Sequence, residues 1–201
     1  MSASLAFPRM PDKIILEPVL GNEEFEELCA ANDFFRLERT SEGAILVNVP
    51  AGPATSEGNS EITYQLRAWW RTHRRGRVFD SSIGAFLPDG SALGPDAAYA
   101  TEAQVRGLCK SDLAHFLPFA PAFVIELLSK TDSVKEAERK MLRWIENGVE
   151  VGWLVNPYAR TVTIYEAGGE TRIETGTKVI GTGPVVGFVL ELEDVWRSYE
   201  L

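Results

Sequence analysis

Three acidic residues occupy positions where folding alone does not require an acid. Glu126 lies inside the apolar run Ala122–Leu128, Asp96 directly follows Pro95 at the start of a short apolar segment, and Glu61 lies in the first turn of an amphipathic helix. A carboxylate within a hydrophobic strand is unfavourable unless it is paired or binds a metal. Such a conflict between local pattern and side-chain chemistry is typical of a functional site.

The chemistry open to these acids is metal binding. If neighbouring strands each present one inward carboxylate, the two groups come close enough to share an ion, and hard oxygen ligands suit Mg²⁺ or Mn²⁺. An ion so placed activates water and stabilises charge on a phosphoryl group. The simpler alternatives are a turn or strand-cap role for Asp96, a solvent-facing strand end for Glu126 and a helix-dipole partner for Glu61.

A lysine near the acids would orient the attacking water or offset charge in the transition state. The strand supplies none, because the residue two positions after Glu126 is Leu128. Lys130 lies in the following turn and Lys140 on the following helix, where a solvated surface lysine is the simpler interpretation.

The stretch Pro121–Gly148 must position Glu126 and Lys140. Its apolar run predicts a buried strand, Ser129–Ser133 supplies a turn and a helix cap, and Val134–Asn147 predicts an amphipathic helix ended by Gly148. The next strand, Gly152–Val155, makes this a βαβ unit. We therefore expect a right-handed crossover and a parallel strand pair at the centre of a mixed sheet.

The remaining pattern predicts one mixed α/β (α+β) domain over residues 1–201, with a β-sheet flanked by helices. Met1–Pro18 is expected to be poorly ordered, and Pro50–Gly58 is expected to be a loop. The other predicted elements are a helix at Asn22–Asn32, a hairpin of Phe34–Thr40 and Ala44–Val49, a helix at Asn59–His73 capped by Ser56 or Asn59, and a C-terminal strand pair completed by Thr161–Tyr165.

Composition limits the class of protein. Hydrophobic residues make up 45% of the 201 residues and charged residues 24%, which is typical of a soluble globular domain. No apolar run approaches the roughly 20 residues of a membrane helix, and the N-terminus lacks a secretory pattern. Cys29 and Cys109 match no metal spacing, so we expect reduced thiols in a cytoplasmic protein.

The formal charge of −9 argues against broad attraction to nucleic acid. One local strip is basic, since six cationic or titratable residues fall within eleven positions: Arg67, Arg71, His73, Arg74, Arg75 and Arg77. Cations at a helix end also complement its dipole, so a solvated helix end and a phosphate-contacting patch both remain open. The candidates for substrate binding are Arg71, Arg74, Arg75 and Arg77.

At these residues the chain resembles the Uma-type restriction endonucleases of the PD-(D/E)XK nuclease superfamily. The resemblance covers about Phe35 to Trp196 and is carried by these blocks: FRLERTSEGAILVNVPAG, GNSEITYQLRAWW, VFDSSIGAFLPDGSALGPDAAYA, FVIELLSKTDSVKEAERKMLRWIENGVEVGWLVNP, TVTIYEAG and GFVLELEDVW.

The resemblance implies a restriction-endonuclease-like core and metal-dependent phosphodiester hydrolysis. Pro95-Asp96 matches the PD element, Glu126 matches the second acid, and Lys140 takes the role of the usual lysine. Glu61 matches a helix acid that joins the metal ligands Asp96 and Glu126. The family's TGGE loop is replaced by Ala51-Gly52-Pro53-Ala54, which leaves no carboxylate at Ala54.

The expected function is therefore Mg²⁺- or Mn²⁺-dependent cleavage of DNA by Asp96, Glu126 and Lys140. A homodimer is expected to supply further binding surface, with apolar residues of Val151–Ile164 as its candidate interface. The alternative is a catalytically inactive nuclease-fold protein used for binding or interaction. A hydrolase of small phosphate esters is a weaker option, because no glycine-rich phosphate loop is present.

Overall fold

A computed structural model describes residues 13–16 and 18–200. Its helices are α1 (Asn22–Ala31), α2 (Pro53–His73), α3 (Glu102–Arg106), α4 (Val134–Glu146) and α5 (Leu192–Arg197). Its strands are β1 (Lys13–Ile14), β2 (Arg36–Arg39), β3 (Ile45–Asn48), β4 (Arg77–Phe79), β5 (Ala85–Phe86), β6 (Ala92–Leu93), β7 (Ala97–Ala100), β8 (Phe123–Leu127), β9 (Val151–Asn156), β10 (Thr161–Glu166), β11 (Arg172–Glu174), β12 (Lys178–Ile180) and β13 (Val189–Glu191).

The main sheet has the strand order β11-β10-β9-β8-β7-β4. Its strands pair antiparallel except for β8 and β9, which are parallel and are joined through α4. The parallel pair predicted from the βαβ pattern is thus confirmed. All five residues of β8 are buried, as expected for a strand that is covered on both faces.

Two apolar layers cover the main sheet. On one face α2, α5 and β13 pack through residues such as Ile62, Leu66 and Leu190. On the other face α4 packs through Met141 and Trp144, which are fully buried. The core therefore holds α4 over the parallel pair of β8 and β9, and β8 carries Glu126.

A second sheet, β1-β3-β2-β6-β5, contains the predicted hairpin, which β2 and β3 form. The buried side chain of Arg39 ties this sheet to its surroundings. Its guanidinium donates to the carbonyls of Gly90 and Leu20 and to Asn22 Oδ1, at 3.1, 2.8 and 2.6 Å. The same group lies 5.2 Å from the ring centroid of Phe25.

The prediction of a loop over Pro50–Gly58 is wrong for most of its length. Helix α2 begins at Pro53 with Gly52 as its N-cap, so neither Ser56 nor Asn59 caps it. Proline suits the first helical position because its φ is already helical and its missing N–H has no partner there. As a consequence, Asn59 lies within the helix rather than before it.

The structure also bears on the expected N-terminal lead and on the suggested homodimer interface. Most of Met1–Pro18 lies outside the described residues, but Lys13–Ile14 pairs with β3 as strand β1. Most apolar side chains of Val151–Ile164 are buried in the core, including Val151, Leu154 and Val162, whereas Tyr158 is 53% exposed. The strands of that segment therefore offer little exposed apolar surface for the homodimer interface suggested for it. Cys29 and Cys109 are free thiols, and none of the described helices is long and apolar enough to span a bilayer.

The hydrogen bonds of the buried Arg39 can be tested for their contribution to the stability of the second sheet. Replacing Arg39 with Met removes three hydrogen bonds to groups that water does not reach freely, so we expect a loss of about 3 kcal/mol in the free energy of unfolding. Urea denaturation measures it, with the exposed Arg139→Met as the matched control, expected within about 0.5 kcal/mol of the native chain. Equal stability of the two variants would contradict this role.

Candidate active site

Asp96 links the start of β7 to β8 through its side chain. Oδ2 accepts a hydrogen bond from the backbone N–H of Leu127 at 2.8 Å. Oδ1 accepts from Arg36 Nη1 at 3.1 Å and from Asn59 Nδ2 at 3.3 Å. Because Ala97 pairs with Ile125, the preceding Asp96 lies beside Glu126 at the end of the β7–β8 ladder.

Glu126 is the buried acid of β8, with 7% of its surface exposed. Its Oε1 accepts a hydrogen bond from Trp144 Nε1 at 2.8 Å, and its Oε2 accepts one from Lys140 Nζ at 3.0 Å. Lys140 and Trp144 lie one turn apart on α4, so both side chains reach the same carboxylate.

The ammonium of Lys140 is the centre of the cluster. Besides Glu126 it lies 2.8 Å from Glu38 Oε1 and donates to the carbonyl of Gly94 at 2.8 Å. The helix thus supplies the cation that the strand lacks at Leu128. Asp96, Glu126 and Lys140, which are far apart in sequence, are brought together by the fold.

Two charged residues of the cluster, Arg36 and Glu38, were missed by the sequence reasoning. Both lie on β2, two residues apart and therefore on the same face of the strand. Glu38 also accepts from the N–H of Gly94 at 3.0 Å, while Arg36 Nη2 donates to the carbonyl of Pro95 at 2.8 Å. The available signal was the alternation of Arg36, Leu37 and Glu38, which also fits an ordinary solvent-facing hairpin.

The charges in the cluster shift one another's protonation. Burial raises the pKa of the Glu126 carboxyl to about 7; the Lys140 ammonium opposes this shift and the charge of Asp96 adds to it. Burial also raises the pKa of Glu38, but Lys140 and Arg36 outweigh it and hold that pKa below its usual value. For Lys140, burial lowers the pKa, yet Glu126 and Glu38 together raise it above the usual value. Lys140 is therefore a protonated ammonium at neutral pH.

Asn59 carries an unsatisfied atom next to Asp96. While its Nδ2 donates to Asp96, its Oδ1 is buried and has no hydrogen-bond partner among the described residues. An orphaned buried oxygen requires an explanation, and amide and carboxylate oxygens are the ligands that hard divalent ions prefer. The donor types of Asp96, Glu126 and Asn59 thus fit Mg²⁺ or Mn²⁺.

Cationic side chains in the cluster compete with such an ion for the carboxylate oxygens. Within residues 13–16 and 18–200, no group of three or more His, Cys, Asp or Glu side chains is placed to hold a metal. The physical reason is visible in the cluster, since Lys140 and Arg36 pair with the carboxylates of Glu38, Glu126 and Asp96. A bound cation would have to share these oxygens with the two cationic side chains.

Glu61 is placed differently from the other predicted ligands. Its carboxylate accepts from Gln65 Nε2 at 2.9 Å, and Gln65 also donates to the carbonyl of Glu191. Residues two apart on a helix differ by about 200° in direction, so Glu61 points away from Asp96 when Asn59 points towards it. Within the described part of the chain, the structure gives Glu61 no hydrogen bond or ion pair with the cluster.

The predicted arginines fall into two places. Arg71 lies on α2 and lines a groove that reaches Asn59. Arg74 ends α2 in a left-handed conformation with φ 53°, Arg75 follows it, and Arg77 begins β4. All four side chains are exposed. The structure therefore does not gather them around Asp96.

The fold and the cluster define a mixed α/β protein with an Asp–Glu–Lys arrangement at the end of two central strands. The model of the Uma2 family, described as putative restriction endonuclease, matches residues 22–193. The chain belongs to this family, and the resemblance drawn from the sequence is confirmed.

The fold is also found in a solved structure. It is similar to the crystal structure of a putative nuclease belonging to DUF820 from Anabaena variabilis ATCC 29413, with a TM-score of 0.67 and 20% sequence identity over 81% of this chain and 90% of that chain. At this identity the match shows the fold alone. No curated protein matches the chain.

Two buried tryptophans allow the contribution of the hydrogen bond to Glu126 to be measured as a change in the free energy of unfolding. Trp144 and Trp153 are both fully buried, but among the described residues only the indole N–H of Trp144 has a hydrogen-bond partner, Glu126. Trp144→Phe removes a hydrogen bond to a charged group, whereas Trp153→Phe removes an unpaired donor. We expect Trp144→Phe to lower the free energy of unfolding by about 1–3 kcal/mol more than Trp153→Phe. Equal losses in urea denaturation would contradict the role of this hydrogen bond.

Proposed function

We propose that the chain is a Mg²⁺- or Mn²⁺-dependent nuclease that hydrolyses DNA phosphodiester bonds at the cluster of Asp96, Glu126 and Lys140. The observation that carries the proposal is the meeting of Lys140, on α4, with the buried acid of β8, next to the acid that precedes β7. Two adjacent carboxylates and one ammonium in a half-buried site supply the parts that phosphoryl-transfer chemistry needs.

In this proposal Asp96, Glu126 and the amide oxygen of Asn59 would hold the ion. When bound, a divalent ion lowers the pKa of a coordinated water and offsets charge on the phosphate. Lys140, as an ammonium, orients the attacking water and stabilises the negative charge that develops on the phosphoryl oxygens. Its raised pKa makes it unsuited to accept a proton at neutral pH.

The surrounding side chains hold these groups in position. Trp144 holds Oε1 of Glu126, and the Lys140 ammonium contacts both oxygens of that carboxylate, at 2.9 and 3.0 Å. Arg36 and the N–H of Leu127 fix the two oxygens of Asp96. Glu38 is a positioning residue, because it pairs with the Lys140 ammonium at 2.8 Å.

The second candidate function is a catalytically inactive nuclease fold that serves in binding or interaction. The observation that favours it is the internal pairing of the cluster, in which Lys140 and Arg36 neutralise two of three carboxylates without any ion. The formal charge of −9 also opposes the approach of DNA.

Cleavage of supercoiled plasmid in Mg²⁺ or Mn²⁺ separates the two candidates. We expect Asp96→Asn, Glu126→Gln and Lys140→Met each to reduce the rate by roughly 100-fold or more, since each removes a charge used in the transition state. Lys135→Met, an exposed lysine of the same helix, is the matched control and should keep the native rate. Native-like circular dichroism must accompany each loss. Equal activity in all variants would reject the proposed site, and no activity in the native chain would favour the inactive fold.

Metal binding gives a pH test that does not depend on cleavage. Because burial raises the pKa of Glu126 to about 7, its carboxyl binds a proton below that pH, and the proton competes with the cation. We expect the affinity for Mn²⁺, measured by calorimetry, to be constant above about pH 8 and to fall roughly tenfold per unit below pH 7.

The Glu126→Gln variant is the control for this titration. Its side chain can still accept from Trp144 but cannot ionise, so its weaker Mn²⁺ affinity should lose the dependence on pH between 6 and 8. The same pH dependence in this variant would assign the titration to another group.

A further inference from the structure

The side of α2 from Ser56 to Arg71 forms one wall of a groove with a volume of about 630 Å³. The turn Asp80–Ser82, which follows β4, also lines it. Asn59, in the N-terminal part of this wall, donates to Asp96, so the groove leads from the candidate active site along the helix.

We propose that this groove binds a single-stranded segment of nucleic acid and guides its backbone to Asp96. The inference rests on the proposed function for the direction of the strand, because it takes the cluster as the place of cleavage. It adds the substrate class, a single-stranded rather than a duplex segment, and the residues that bind it.

The spacing of the lining residues follows the helix. Asn59, Thr63, Arg67 and Arg71 recur every four residues and form one ridge of α2. With a rise of about 1.5 Å per residue, Arg67 lies about 12 Å and Arg71 about 18 Å along the helix from Asn59. A stacked strand carries one phosphate roughly every 3.4 Å of its axis. The two guanidinium groups can therefore contact the backbone a few nucleotides from the cluster.

The side chains of the ridge provide the chemistry for single-strand binding. Arg67 and Arg71 are exposed, and the guanidinium of Arg67 stacks 4.1 Å from the ring centroid of Trp70, which restrains its orientation. Tyr64, three residues before Arg67, lines the groove with 67% of its surface exposed. Cationic side chains interleaved with an exposed aromatic ring are the arrangement on which single strands bind, with phosphates on the cations and a base on the ring.

The wall formed by Asp80–Ser82 determines which side of the bound single strand faces α2. Asp80 accepts hydrogen bonds from the N–H and the hydroxyl of Ser82 at 2.9 and 2.6 Å, and it places a negative charge on that wall. Phosphates are therefore expected on the α2 wall. A duplex keeps its bases paired and stacked inside the helix, so only a single strand can place a base on the exposed ring of Tyr64.

The chain offers a matched control for the groove arginines. Arg106 is also exposed but lies on α3, and it is not among the residues that line the groove. Arg106→Ala therefore changes the net charge as the loss of one groove arginine would, without altering the ridge.

Fluorescence anisotropy with labelled oligothymidylate, on the full chain in EDTA, measures binding without cleavage. We expect Arg67→Ala/Arg71→Ala to weaken binding by tenfold or more and to reduce the slope of log K against log salt by about 1.4. Tyr64→Ala should weaken binding by fivefold or more with the slope unchanged, and Arg106→Ala should stay within twofold of the native chain. A matched duplex should bind more weakly than the single strand.

Three results would contradict binding of a single strand in the groove. The first is native affinity for the single strand in Arg67→Ala/Arg71→Ala, and the second is tighter binding of the duplex than of the single strand. The third is binding of poly-glutamate as tightly as the single strand, which would show that charge attraction alone is responsible. Plasmid cleavage separates this failure from failure of the nuclease. If cleavage depends on Asp96 but not on Arg67 and Arg71, the proposed role of the groove is rejected and the proposed nuclease function is kept. Single-strand binding that needs both arginines in a chain that cleaves nothing upholds the groove and rejects the nuclease.

Discussion

The contact between the Lys140 ammonium and two buried carboxylates is the interaction on which the site depends. Lys140 Nζ lies 2.8 Å from Glu38 and 2.9 Å from Glu126, and it donates to Gly94, so one atom joins β2, β8, α4 and the segment before β7. Removing one member of a buried ion cluster leaves uncompensated charge, which is strongly destabilising. The position of α4 over the sheet and the charge state of the acids are therefore set together.

Under the proposed function, this coupling makes one cluster of charges serve both the fold and the chemistry. Three carboxylates face two cationic side chains, so one negative charge remains when all are ionised, and the raised pKa of Glu126 places that excess on the acid of β8. In the proposed function, a divalent ion would displace this proton and share the Glu126 oxygens with Lys140. The acid with the raised pKa is thus the member of the cluster at which the proposed metal would compete with a proton.

The parts of the site that could be predicted share a local signal. Glu126 interrupts an apolar run, and Lys140 lies at helical spacing from Trp144, so short windows of sequence contain both and predict the parallel pair around them. Glu38 and Asn59 lack such a signal, because only the pairing of distant segments brings them to Lys140 and Asp96. The start of α2 was missed for a different reason. Proline, glycine and serine are typical of loops, and only tertiary packing shows that Thr55 and Gly58 are buried helical residues.

Helix α2 connects the cluster to the surface, and its periodicity decides which acid can take part. Asn59 faces Asp96, and the ridge that continues from it carries Arg67 and Arg71 into the groove. Glu61, about 200° around the helix, instead accepts from Gln65, which bonds the backbone of Glu191. A rotation of α2 that brought Glu61 to Asp96 would break this contact and turn the ridge away from the groove. Helix α2 therefore cannot place Glu61 at the cluster and also keep Arg67 and Arg71 in the groove. For this reason the α2 residue next to Asp96 is the neutral amide of Asn59.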